Sequence, residues 1–95
     1  MSDALVFADR VRAALTVARR FGLEIPAFRS PPKDPAVTRS LRYHDDGSAV
    51  IAIRIAGRTV DEMEADIVDG ILAANGCDPD ASEFRAACAE AFDVF

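Results

Sequence analysis

The chain has no tryptophan, one tyrosine, one histidine and two cysteines in 95 residues, and each shortage removes a class of function. With His44 alone, no Ser-His-Asp or Cys-His arrangement can draw on a second imidazole. Cys77 and Cys88 are too few for a disulfide framework or a zinc site. Cys88 falls on an apolar stripe and reads as a small core residue. Cys77 follows a helix C-terminus, where the dipole disfavours a thiolate. The longest branched apolar run, Ala49 to Ile53, is cut by Arg54, far short of a membrane span. Asp3, Asp9 and Arg10 break up any apolar segment at the N-terminus, so the chain is expected to be soluble and cytoplasmic, with no membrane contact. No glycine-rich phosphate loop occurs, since Gly70 and Gly76 stand isolated. The expectation is a protein that is not an enzyme and uses no metal and no cofactor.

What is present describes one small globular domain, residues 1–95. About half the residues are apolar (51%) against 28% charged, too apolar for a disordered chain. Much of that apolar content is alanine, so the large core candidates are six Phe with the Leu, Ile and Val positions. The charge is unevenly placed. Residues 1–58 hold ten Lys and Arg against six Asp and Glu, a net +4, whereas residues 59–95 hold only Arg85 against ten acids, a net −9. Two such halves either neutralise each other or present two faces to different partners. The sequence pI near 4.7 argues against wholesale nucleic-acid binding.

Periodicity places the elements in the order α-β-β-α-α. Ala4, Phe7, Ala8, Val11, Ala14, Leu15 and Ala18 form one apolar face of a helix over residues 3–21, and Gly22 ends it. Leu23 to Pro35 carries four prolines and reads as an extended connector, with Leu23-Glu24-Ile25 as a short edge strand. Asp45-Asp46-Gly47 is a hairpin turn. A two-residue loop would pair Leu41 with Ala52, whereas a three-residue loop with Gly47 left-handed pairs His44 with Ser48 and Leu41 with Ile51. Only the second collects Val37, Leu41, Tyr43, Ile51, Ile53 and Ile55 on one face, with Thr38, Ser40, Arg42, His44, Ser48, Val50, Ala52 and Arg54 on the other. That register leaves Arg39 opposite Ile53 on the apolar face, where it must reach the rim or meet an acid. Thr59-Val60-Asp61-Glu62 is a capping box opening a second helix that buries Val60, Met63, Ile67, Val68, Ile71, Leu72 and Ala74 and ends at Asn75-Gly76. A third helix begins near Asp78 to Asp80, with Asp80 and Glu83 as a second capping box. It carries Phe84, Ala87, Cys88, Ala91, Phe92 and Phe95 as its stripe.

The predicted fold is therefore α+β: an antiparallel hairpin covered on one face by three helices. A hairpin is marginal alone, and its exposed edge invites a homodimer with a four-stranded sheet across two copies. A monomer mass in light scattering removes that expectation.

Glu62, Asp66 and Asp69 share a helix face at i, i+4, i+7, a spacing that suits Mg²⁺, although a solvated acidic face is the simpler reading. The polar hairpin face with the connector is the stronger candidate. Arg29, Lys33, Arg42, Arg54 and Arg58 are its expected partner-binding residues. Arg29-Ser30-Pro31-Pro32-Lys33-Asp34-Pro35 also matches an Arg-x-x-Pro-x-x-Pro ligand, although a rigid linker explains it as well. Strand followed by two helices is similar to the ribbon-helix-helix order, but Asp78 and Asp80 stand where phosphates would have to approach. Four segments, Ile25 to Pro32, Asp46 to Val50, Arg54 to Arg58 and Ala65 to Asn75, together resemble a group of short proteins of high-GC actinobacteria. The resemblance implies a free-standing bacterial cytoplasmic protein and brings no activity, ligand or catalytic residue with it. The expected function is non-enzymatic protein interaction or regulation with an unknown protein partner. The alternative is nucleic-acid or phosphate binding through the basic hairpin face.

Overall fold

The Asp45-Asp46-Gly47 loop sets the register of the sheet. Gly47 takes φ +87°, and the His44 amide donates to the Ser48 carbonyl at 2.8 Å, the three-residue loop expected from the pattern. Asp46 Oδ1 accepts from both the Ser48 hydroxyl (2.7 Å) and the Ser48 amide (2.9 Å). These bonds hold the Asp46 carboxyl below the usual carboxylate range.

The computed structural model describes residues 2–94, so the Phe95 end of the predicted third stripe lies outside the described residues. Its elements are α1 (Asp3–Arg20), β1 (Ala27–Arg29), β2 (Arg39–Tyr43), β3 (Ala49–Ile53), α2 (Val60–Ala74) and α3 (Ser82–Phe92). β2 pairs antiparallel with β3, Leu41 opposite Ile51 and Arg39 opposite Ile53. β1 pairs parallel with β3 on its other side, Phe28 opposite Ile51, giving the order β1-β3-β2.

The third strand lies at residues 27–29 and not at Leu23 to Ile25. Asn75 explains the shift. Its Oδ1 accepts from the Glu24 amide at 2.7 Å and its Nδ2 donates to the Glu24 carbonyl at 3.1 Å. A side chain thus takes the backbone groups that a strand there would have offered to a ladder. The chain joins the sheet only after the buried Pro26, with Phe28 turned inward to meet Phe7 edge-on at 6.4 Å between ring centroids. Because β1 closes the outer edge of β3, a second copy pairing along the hairpin has only β2 to use, and the joint sheet would hold six strands. The Arg54 amide donates to the Thr38 carbonyl (2.8 Å) and the His44 amide to Ser48. By antiparallel alternation, the backbone groups of Arg39, Leu41 and Tyr43 therefore point outward at that free edge.

The helices pack on the sheet face that carries Phe28, Leu41, Ile51 and Ile53. α2 lies directly on it. The Thr59 capping box forms in both directions at 3.1 Å and fixes where α2 starts. Bonds from the Thr59 amide and hydroxyl, with Arg58 beside them, lower the Glu62 carboxyl pKa. That contribution to stability is present above the ordinary glutamate pKa and is lost as pH falls through the lowered value. Met63, Ile67, Val68, Ile71 and Leu72 are buried as predicted, while Val60 remains 37% exposed at the helix start. α1 differs from its predicted face. Ala13 and Val17 are buried with Phe7, Ala14 and Ala18, whereas Ala4 and Ala8 face solvent. α1 packs against both α2 and α3, so it buries a wider arc than one neighbour requires and the arc is rotated. α3 starts at Ser82, and the Asp80–Glu83 capping box does not form. Asp78 Oδ1 instead accepts from the Asp80 amide at 2.9 Å, a turn that spends the two aspartates before the helix begins. Phe84, Cys88 and Phe92 are its buried stripe. Burial raises the Cys88 thiol pKa to about 11, as befits a small core residue. Among the described residues no helix is long and apolar enough to cross a membrane.

Candidate functional site

The sheet face turned away from the helices is built from two rows of side chains. Parallel and antiparallel registers together place Ala27, Val50 and Arg42 abreast, then Arg29, Ala52 and Ser40. The small residues fall on the central strand, and the two arginines stand diagonally on the flanking strands. The connector after Arg29 curls over one end of this face. Its shape is fixed by Arg54, whose Nε donates to the Val37 carbonyl (3.2 Å) and whose Nη2 donates to the Asp34 carbonyl (3.1 Å). Lys33, Asp34 and Val37 thereby form a wall, and His44 closes the turn end. The result is an open hollow of about 340 Å³ over Val50 and Ala52. Val37 was expected among the apolar residues under the helices; it lines the hollow because the ladder ends at Thr38 and the chain turns back there. Pro32 is buried, so the proline motif is not displayed as a free extended ligand.

The five predicted partner-binding residues divide. Arg29, Lys33 and Arg42 come together around the hollow. Arg54 lies beside them, but its guanidinium is spent on the connector carbonyls. Arg58 is elsewhere: its side chain is 14% exposed, with Nη2 2.8 Å from Asp66 Oδ2 and Nε 3.3 Å from Glu62 Oε2. Burial opposes the Arg58 charge, but the bonds to Asp66 and Glu62 outweigh it and raise its pKa. Arg58 therefore acts in the structure as an internal ion-pair partner.

The candidate metal carboxylates are engaged in the same way. Glu62 meets Arg58; Asp66 meets Arg58 and, at 3.3 Å, Arg39 Nη1; Asp69 meets Arg39 at 3.1 Å and Arg85. Asp66 Oδ2 is held by this close charge contact without a well-aligned hydrogen bond. Arg39, the residue that the register left on the apolar face, meets its acids as expected. Among the described residues no group of three or more His, Cys, Asp or Glu is arranged to hold a metal ion.

The uneven charge is thus neutralised in part, and part of the basic half stays unpaired. Arg10, Arg39 and Arg58 from the basic half neutralise Glu64, Asp66, Asp69 and Glu62 of the acidic half. Arg29, Lys33 and Arg42 have no ion pair or side-chain hydrogen bond among the described residues. They stay unpaired in a chain of net charge −5. The hairpin register had already placed Ser40 on this face; sequence reasoning missed Val37 as a lining residue, because it has no signal before the connector's path is known.

Comparison with protein-family models, with curated proteins and with solved structures finds no match.

Proposed function

We propose that this chain is a small, non-enzymatic, cytoplasmic interaction protein that docks an acidic segment of a partner protein on its uncovered sheet face. The observation that carries the reading is the set of unpaired cations, Arg29, Lys33 and Arg42, gathered around an apolar floor. Arg19 and Arg20, also without an ion pair among the described residues, lie in the last turn of α1, where the helix dipole accounts for them. Cations left without acids in their own molecule are available for acids on another. The free edge of β2, with the outward backbone groups of Arg39, Leu41 and Tyr43, is where a second copy would add. A nucleic acid is the poorer fit. The basic track is short once Arg54 and Arg58 are committed inside the molecule, and α2 opens with Asp61 and Glu62.

The test is calorimetric titration with a glutamate-rich peptide and a lysine-rich peptide of equal length. The acidic peptide is expected to saturate, with affinity falling as salt rises, and the basic peptide to show no binding. The Arg29→Gln/Arg42→Gln variant is expected to bind at least about tenfold more weakly, a loss near 1.4 kcal/mol. Equal affinity of variant and wild type overturns the proposal.

A further inference from the structure

We infer that the hollow on this face selects a dianionic phosphoryl group, as carried by a phosphate monoester. The inference rests on the docking role proposed above and names the anion that the face prefers. Charge supplies the first argument. The lining holds Arg29, Lys33 and Arg42 against one acid, Asp34, a net of +2 with His44 neutral. A phosphate monoester near neutral pH carries a matching charge close to −2, whereas a carboxylate carries −1. Asp34 Oδ1 accepts from the Ala36 amide at 2.9 Å, and its charge is already counted in that net.

Donor number supplies the second. A carboxylate has two oxygens, and two guanidinium groups occupy both, as Arg39 and Arg85 do on Asp69, so a third donor finds no oxygen of its own. A phosphoryl group has three terminal oxygens and accepts from two guanidinium groups together with a hydroxyl. That set is what the registers align: Arg29 on β1, Arg42 on β2, and the half-buried Ser40 in the same row as Arg29. The strands carrying the two arginines flank β3, roughly 10 Å apart. Both arginines line the hollow, one on each side of the central strand, Arg29 abreast of Ala52 and Arg42 abreast of Val50.

Size supplies the third. A hollow of about 340 Å³ exceeds what a phosphoryl group fills and lies at the small end of ligand sites. The remaining floor, Val37, Val50 and Ala52, is apolar and suits the carrier of the phosphate. The carrier is either a small free molecule or a phosphorylated side chain.

The experiment is calorimetric titration of the full chain at matched ionic strength with four probes. Phenyl phosphate is set against benzoate, and a phosphoserine peptide against the same peptide with aspartate in place of the phosphoserine. A phosphate probe is expected to bind at least about tenfold more tightly than its carboxylate counterpart. Arg29→Gln/Arg42→Gln is expected to erase that preference with an unchanged melting curve, because neither side chain makes an ion pair or hydrogen bond among the described residues. Saturation by phenyl phosphate identifies a free small ligand, and saturation by the peptide alone identifies a phosphorylated side chain; both support the inference. Equal binding of phosphate and carboxylate overturns phosphoryl selection and leaves the acidic-docking proposal standing. Absence of binding by every probe overturns both.

Discussion

Gly70→Val is expected to lower the melting temperature by about 10–20 °C, from a loss of about 2–3 kcal/mol. Glycine inside a helix ordinarily costs up to about 1 kcal/mol relative to alanine, so a substitution there would help if space allowed. At Gly70 it does not. A Cβ at this position stands 2.9 Å from Ile51 Cδ1 and 3.0 Å from Ile51 Cγ2, and Ile51 is fully buried on the central strand. The missing side chain is what lets α2 settle on β3, and valine adds two further methyl groups to the collision. Thermal unfolding followed by circular dichroism checks the value. Ile51→Val removes the Cδ1 atom at 2.9 Å, so Gly70→Ala combined with Ile51→Val is expected to be more stable than the sum of the two single changes. Strict additivity would show that the helix and strand do not meet at this point.

Asp66→Ala is expected to cost about 2–3 kcal/mol, read from denaturant unfolding. The carboxylate stands between Arg58 and Arg39, and both the Asp66 and Arg58 side chains are only 14% exposed. Removing it strands the Arg58 charge in a poorly hydrated place, with Glu62 and the Arg54 carbonyl, each at 3.3 Å, left to answer it. The cost is dominated by that abandoned charge, so Asp66→Ala combined with Arg58→Met is expected to recover part of the loss. Asp69→Ala should cost less. Arg39 keeps Asp66, and Arg85 keeps the bond from its Nε to the Pro79 carbonyl at 2.7 Å.

The parts of the fold that were legible before any coordinates are those governed by local chemistry. Asp45-Asp46-Gly47 with alternation on both sides fixed the hairpin register to the residue, and Thr59 with Glu62 marked the start of α2. Arg39 shows that even an awkward placement was readable: the register demanded an acid for it, and the acids came from α2. What was not legible depended on contacts distant in the chain. β1 is three residues long between prolines, and its position follows from the grip of Asn75 on Glu24 across 51 positions. The rotated face of α1 follows from its second neighbour, α3. The candidate site was half visible for the same reason. Arg29, Lys33 and Arg42 were identifiable as basic residues near one face. The diversion of Arg54 to the connector carbonyls and of Arg58 to Asp66 required the path of the chain. Those two diversions matter most to the functional reading, because they separate arginines that hold the molecule together from arginines that have nothing to hold.

That separation is tested most directly by mapping amide chemical shifts while a glutamate-rich peptide is titrated into the isotopically labelled protein. The account predicts that the saturating shifts are confined to Ala27 to Arg29, Lys33, Ser40 to Arg42 and Val50 to Ala52, with α1 and α3 unmoved. Shifts centred on the α1–α3 side of the molecule, with the open sheet face unaffected, would contradict it.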